Sequence, residues 1–161
     1  MKNLKTSFGK SKVSQSQKTK MVQDVFSDVT KKYDLMNNLM SFGTHRLWKK
    51  KLIQQMNIQS NELIIDVGTG TGDIADLIHN NYSTTSIISI DLNFNMLKHG
   101  KEKIKHKLNK ISWVNCNAEN LPFKNNTFDK YIISFCLRNV TLIDNALYEA
   151  IRILKPGGSF Y

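Results

Sequence analysis

The chain has 161 residues, 40% hydrophobic and 22% charged, with a formal net charge of +10. Those figures fit a globular domain with a core of its own and exclude a disordered or low-complexity chain. No apolar run approaches the roughly 18 residues of a membrane span, residues 1–20 lack the apolar stretch of a secretory signal, and two cysteines without CxxC spacing exclude a disulfide scaffold.

The charge is concentrated at one end. Residues 1–60 hold 12 Lys and Arg against 3 Asp, a net +9, which leaves +1 for residues 61–161. The basic third reads as solvated lysine faces or as a surface attracted to anionic lipid or nucleic acid. Residues 1–20, rich in Lys, Ser and Gln, are expected to form a mobile basic arm. Residues 21–60 are expected to form an N-terminal helical extension. Val22, Val25, Phe26, Val29 and Tyr33 make one amphipathic stripe. A Leu- and Met-rich segment, Asp34–Met40, is broken by Ser41-Phe42-Gly43. Thr44 is a candidate N-cap for a helix to about Met56, with Trp48, Leu52 and Met56 on its apolar side and Lys49, Lys50 and Lys51 on its polar side.

From residue 62 the pattern changes. Leu63, Ile64 and Ile65 read as a strand buried on both faces, followed by Asp66 and by glycines at 68, 70 and 72. Helical spacing starts at Asp73. A strand, a glycine-rich turn and a helix let a ligand approach the backbone closely, at the carboxyl end of the strand. A dinucleotide fingerprint, G-x-G-x-x-G, would need a third glycine at 73, where Asp stands. That carboxylate opposes a pyrophosphate at the helix N-terminus and suits a cationic or zwitterionic ligand.

Ser86–Ile90 is the second strand and ends at Asp91, about twenty residues past the turn, where an acid binds ribose hydroxyls or caps the next helix. A helix from about Asn93 carries Phe94, Leu97, Ile104 and Leu108 on one face. Ile111–Val114 is the third strand, and Asn117-Ala118-Glu119 follows it. Phe128–Phe135 is the fourth, with a loop at Cys136–Val140. Thr141 is expected to cap a helix that Pro156-Gly157-Gly158 stops, and Ser159–Tyr161 starts a fifth strand. Strands alternating with helices predict an α/β fold, a doubly wound, mainly parallel sheet. Residues 61–161 are the expected ligand-binding domain. The sequence stops inside a strand, so the domain is expected to be incomplete at its C-terminus.

The turn from Asp66 to Gly72 resembles motif I of class I S-adenosylmethionine (SAM) methyltransferases. More specific blocks accompany it: Tyr33-Asp34-Leu35-Met36-Asn37, Met40-Ser41-Phe42-Gly43, His45-Arg46-Leu47-Trp48-Lys49, Asp91-Leu92-Asn93, Asn117-Ala118-Glu119, Ser134-Phe135-Cys136-Leu137-Arg138-Asn139-Val140 and Arg152–Gly158. Together they resemble the ubiquinone/menaquinone-biosynthesis C-methyltransferases (UbiE-type), in order, from Phe8 onward. Two departures are mild: Cys136 stands where Gly is usual, and Gly68-Thr69 varies a commoner small pair.

The resemblance implies SAM as cofactor. Thr71 and the backbone of Gly68 and Gly70 would hold its methionine end, Asp91 its ribose, Asn117 and Ala118 its adenine, and Ser134 would lie alongside. It implies a lipophilic quinol as methyl acceptor, with Arg138, Asn139 and Asp73 on the acceptor side. A guanidinium is a poor base, so Arg138 is expected to stabilise a phenolate; Asp73 accepts a proton or holds the cofactor's ammonium. His45 and Tyr33 are alternative acid–base groups or packing residues. A cytoplasmic location, peripheral contact with anionic membrane, self-association or a quinone-biosynthesis complex fit such an enzyme. Neither nucleic acid nor a metal is expected, since Ser134-Phe135-Cys136-Leu137 replaces the Asn/Asp-Pro-Pro-aromatic loop of amino-directed methyltransferases and the four histidines are not grouped for a metal. The rival readings are an RNA-directed methyltransferase and an inactive SAM-binding fragment.

Overall fold

The computed structural model describes residues 5–8, 11–30, 36, 39–104 and 110–161. Tyr33, Asp34, Leu35, Asn37 and Leu108, singled out from the sequence, lie outside the described residues.

Two short strands, β1 (Lys5–Phe8) and β2 (Ser11–Ser14), pair antiparallel and lead into helix α1 (Gln15–Val29). The expected arm over residues 1–20 is therefore corrected for its described part. The signal was a capping box: Ser14 accepts from the Gln17 amide while the Gln17 side chain accepts from the Ser14 amide. That exchange satisfies two N-terminal amides and starts the helix at Gln15, ahead of the apolar stripe that begins at Val22. Helix α2 (Thr44–Gln55) starts after Gly43, whose φ of 76° makes the turn. Thr44 does not cap; its hydroxyl donates to the Ser41 carbonyl at 2.6 Å.

Then come β3 (Leu63–Val67), α3 (Asp73–Asn81), β4 (Ser86–Asp91), α4 (Phe94–Lys103), β5 (Ile111–Asn115), β6 (Phe128–Ile132), α5 (Ile143–Ile153) and β7 (Leu154–Phe160). The five strands from β3 onward form one parallel sheet in the order β5-β4-β3-β6-β7. The chain winds outward from β3 to β5, then returns to the other side of β3, so the strand order reverses between β3 and β6. In open α/β sheets a crevice opens at that place, beyond the strands' carboxyl ends.

Period-two alternation in β3 feeds two cores. Ile64 packs on one face with Ile87 and Ile132 and with Ile53 and Met56 of α2 and its cap, and with Ile74 and Ile78 of α3. Ile65 and Val67 pack on the other with Ile90, Phe128, Tyr131 and Ala146, Ala150 and Ile153 of α5. Helix α2 is thus built into the sheet's own core.

Three expected boundaries move. Strand β6 ends at Ile132, because the chain leaves the sheet and Phe135 adopts a left-handed φ of 60°. Pro156-Gly157-Gly158 does not precede the last strand but forms an irregularity within it, between the pairs Phe128↔Leu154 and Lys130↔Ser159. Thr141 does not cap α5. The Glu119 carboxylate reaches across to accept from the Thr141 and Leu142 amides at 2.9 and 3.0 Å, satisfying the helix entrance from another loop.

Among the described residues no helix is long and apolar enough to cross a membrane, and no cluster of His, Cys, Asp and Glu could hold a metal ion.

Candidate functional site

A cleft of about 670 Å³ opens over the carboxyl ends of β3, β4 and β6. Its floor is the glycine turn. Gly68, Gly70 and Gly72 take φ of 66°, 58° and 81°, a region that residues with a Cβ enter at a cost. Two bonds tie the turn to β4: the Thr69 amide donates to the Ile90 carbonyl, and the Gly70 amide to Asp91 Oδ2, both at 2.9 Å. Space also demands glycine. A Cβ on Gly68 would fall 2.2 Å from Cys136 Sγ, and one on Gly72 would fall 2.5 Å from the Trp113 ring. Gly100 of α4 lies so close that its Cβ would stand 2.9 Å from the Thr71 carbonyl carbon and oxygen. The fully buried Thr71 is therefore positioned by backbone contact with α4.

Three carboxylates line this floor. Asp66 is 1% exposed and accepts from the Thr69 hydroxyl at 2.5 Å. Burial pushes its pKa up to about 6, against the opposing pull of Thr69 and Lys49. Asp91 is also raised by burial, although the Asn93 and Gly70 amides at 2.8 and 2.9 Å favour its charged form. Asp73 is the opposite case. Burial would raise it, but Lys49 and Lys103, each at 2.8 Å, outweigh burial and hold it at about 2.

The walls hold the remaining predicted residues. Asn117 turns its own loop, its side-chain oxygen accepting from the Glu119 amide, and Ala118 lies next to it in the wall. Ser134, Arg138 and Asn139 line the cleft after β6, the last two in a 3-10 turn at Leu137–Asn139. Thr71, Gly68, Gly70, Asp73 and Asp91 complete the set, so the cofactor-side and acceptor-side residues read from the sequence line one cleft, while Tyr33 lies outside the described residues. Cys116 and Cys136 line it too. Burial pushes their thiols up to about 11 and about 12, which keeps them protonated and poor nucleophiles.

Other lining residues were missed. Lys49, read as part of a solvated face, is 12% exposed and reaches inward to Asp73. The opposite wall comes from the N-terminal helices: Thr19, Val22, Gln23 and Phe26 of α1, and His45 and Trp48 of α2. Helix α1 is fastened at both rims. Lys18 Nζ donates to the Val140 carbonyl and the Thr19 and Thr141 hydroxyls are bonded, each at 2.8 Å, while the Asn93 amide group donates to the Gln23 carbonyl and the Ser27 hydroxyl. His45 is buried, its Nδ1 bonded to the Ser41 hydroxyl at 2.7 Å, as a packing residue would be.

A floor of three carboxylates and one inward lysine repels a phosphate chain and suits a ligand with cationic and hydroxyl groups. The rim is apolar and aromatic, with Met40, Trp48 and Phe135. The cleft therefore joins a polar end for one ligand to an apolar mouth for another.

The model of the ubiE/COQ5 methyltransferase family matches residues 12–161. The chain is 44% identical over 156 residues to the ubiquinone/menaquinone biosynthesis C-methyltransferase UbiE of Erwinia tasmaniensis, covering 95% of this chain and 62% of that protein. The UbiE protein of Escherichia coli O1:K1 / APEC matches at the same identity and coverage. Thus the chain spans 62% of the length of these curated relatives. Among solved structures, a putative SAM-dependent methyltransferase from Methanococcus maripaludis superposes with a TM-score of 0.73 at 23% identity, over 84% of this chain and 62% of that one. The [4+2]-cyclase SpnF superposes with a TM-score of 0.73 at 19% identity, over 86% and 58%. These two likenesses establish the fold, which serves unlike reactions.

Proposed function

The chain belongs to the ubiE/COQ5 methyltransferase family, and from that premise we propose that it holds SAM on the glycine turn and serves methylation of a ring carbon of a lipophilic quinol, a polyprenyl benzoquinol or demethylmenaquinol. The observation that carries this reading is the floor itself: Asp66, Asp73 and Asp91 gathered under a left-handed glycine turn, a set of acidic acceptors that fits a sulfonium amino-acid nucleoside and not a dinucleotide.

SAM supplies an electrophilic methyl group that needs no acid to activate its departure. Each residue then has a defined task. The backbone at Gly68 and Gly70, with Thr71, receives the methionine end. Asp91 accepts from the ribose hydroxyls while keeping the turn closed through Gly70. Asn117 and Ala118 flank the base, and Ser134 lies beside it. Asp73, held ionised by two lysines, is a counter-charge for the ammonium and is a poor proton acceptor at neutral pH. Arg138 and Asn139 face the acceptor. There the guanidinium stabilises the phenolate, which makes the ring carbon nucleophilic, and Asn139 orients it. With SAM bound there, its methyl would pass from sulfur to the ring carbon, and that carbon's proton would leave to solvent or to a neighbouring carboxylate.

The basic N-terminal third, with exposed Arg46, Lys50 and Lys51 beside Leu47 and Phe42, supports peripheral contact with anionic membrane, where a polyprenyl substrate resides. Such contact fits an enzyme working from the cytoplasmic side, alone, self-associated or in a biosynthetic complex.

Calorimetric titration with S-adenosylhomocysteine tests the cofactor site. Binding is expected, and Asp91→Ala is expected to weaken it a few-fold to a hundredfold, for a lost charge-assisted hydrogen bond of roughly 1–3 kcal/mol. Unchanged affinity in the variant would refute the ribose assignment. With the full-length protein, transfer to a quinol oxygen instead of carbon would overturn the acceptor chemistry.

A further inference from the structure

Two aromatic rings face one another at the mouth of the cleft. Trp48 comes from α2 and Phe135 from the loop after β6, and their centroids lie 6.2 Å apart at an interplanar angle of 37°. Both line the cleft, yet they are 55% and 54% exposed, so neither is core filling. Each is also held in place by something other than its own burial. Lys49, the residue after Trp48, is anchored to Asp73 beneath the glycine turn, which fixes the rotation of α2 at this point. Phe135 sits at φ 60°, a left-handed conformation that glycine adopts freely and phenylalanine does not. Backbone strain retained at a cleft, on a half-exposed aromatic residue, is a pattern associated with ligand-holding positions. The same short loop carries Arg138 and Asn139 onward into the cleft wall.

We infer that Trp48 and Phe135, in contact with each other, form an aromatic ledge whose exposed faces hold the planar ring of the methyl acceptor at the cleft mouth. The inference rests on the quinol reading above and deepens it by assigning the groups that select an aromatic ring. Two faces of π-density offer a flat ring stacked or tilted contacts that a saturated ring of the same size cannot match. The ledge orients the ring, while Arg138 and Asn139 meet its polar edge. Trp48 and Phe135 are accordingly positioning and specificity residues.

The test uses the protein saturated with S-adenosylhomocysteine and two probes with the same short alkyl tail: a 1,4-hydroquinone and the corresponding cyclohexane-1,4-diol. The wild-type protein should bind the hydroquinone about tenfold more tightly than the diol. Phe135→Leu and Trp48→Leu should each weaken the hydroquinone about fivefold while leaving the diol and S-adenosylhomocysteine within twofold. Phe135→Tyr should retain the preference. Phe135→Gly separates ligand holding from packing: it should raise the melting temperature by relieving the left-handed strain and still lose the ring preference. Equal losses for both probes would reduce the pair to apolar packing and overturn the aromatic ledge. So would an unchanged preference in the leucine variants, or a Phe135→Gly protein that is less stable but binds as wild type. Failure of wild-type protein to bind S-adenosylhomocysteine strikes the cofactor reading. Retained nucleoside binding with no preference for the aromatic probe strikes the ledge alone.

Discussion

Asp66 and Asp73 bracket one turn, and their surroundings move their carboxyls in opposite directions. Asp66 is raised by burial to about 6, so its ionised form strains the folded state. Its folded pKa lies above the unfolded value of 3.8, so the native state gains from low pH and loses that gain as pH rises through about 6. Asp66→Asn should therefore be more stable than wild type above pH 6, by up to about 3 kcal/mol, with the advantage gone below pH 4. Asp73 has the reverse sign. Its folded pKa of about 2 gives stability that is present above 3.8 and lost as pH falls through about 2. Asp73→Asn should cost about 2 kcal/mol at neutral pH, with most of that cost gone by pH 2. Urea unfolding across pH 2–8 checks both; parallel pH profiles for the two variants would refute the opposed assignments. Sequence showed that both acids flank a ligand turn, because the glycine spacing marks it. It did not show their opposed titration, which depends on Lys49 and Lys103 arriving from distant helices.

At the scale of elements, the site depends on how closely α4 meets the turn. Alanine is a better helix former than glycine by about 1 kcal/mol, so Gly100→Ala should stabilise an isolated α4. Here its Cβ would stand 2.9 Å from the Thr71 carbonyl, a backbone group that cannot rotate away. Overpacking of this kind costs about 1–3 kcal/mol, so the variant is expected to lose both stability and affinity for S-adenosylhomocysteine. A stabilised variant with intact binding would show that α4 does not position Thr71. The strands and most helices were legible because apolar period marks them, and β3 reads correctly from Leu63, Ile64 and Ile65. The ends were not. Thr141 and Thr44 have the composition of caps, but Glu119 and Gly43 supply the helix entrances, and a cap supplied from across the cleft leaves no local signature. Lys49 was hidden by company: among three consecutive lysines, only the rotation of α2 on its core residues Ile53 and Met56 turns one inward.

For the whole molecule, charge and apolar exposure coincide at the N-terminal end. Phe42 is 93% exposed at the turn before α2, next to a helix that exposes Arg46, Leu47, Lys50 and Lys51. Co-sedimentation with anionic phosphatidylserine vesicles is expected to exceed that with neutral phosphatidylcholine vesicles and to fall as salt rises from 0.05 to 0.3 M, on the order of the range over which the Debye length drops below 10 Å. Phe42→Ser should weaken the anionic binding. Indifference to lipid charge would remove the membrane from the account. Composition alone located this basic end but assigned residues 1–20 to a mobile arm, and the Ser14–Gln17 capping box was the overlooked cue.

That correction changes what α1 is. Its hydrogen bonds to the Asn93 rim and to the Val140–Thr141 rim make it a crossbar pinned at two posts on either side of one opening. With both ends tied, α1 bridges the two rims, and any widening of the opening that moves this helix must break bonds at one rim or the other.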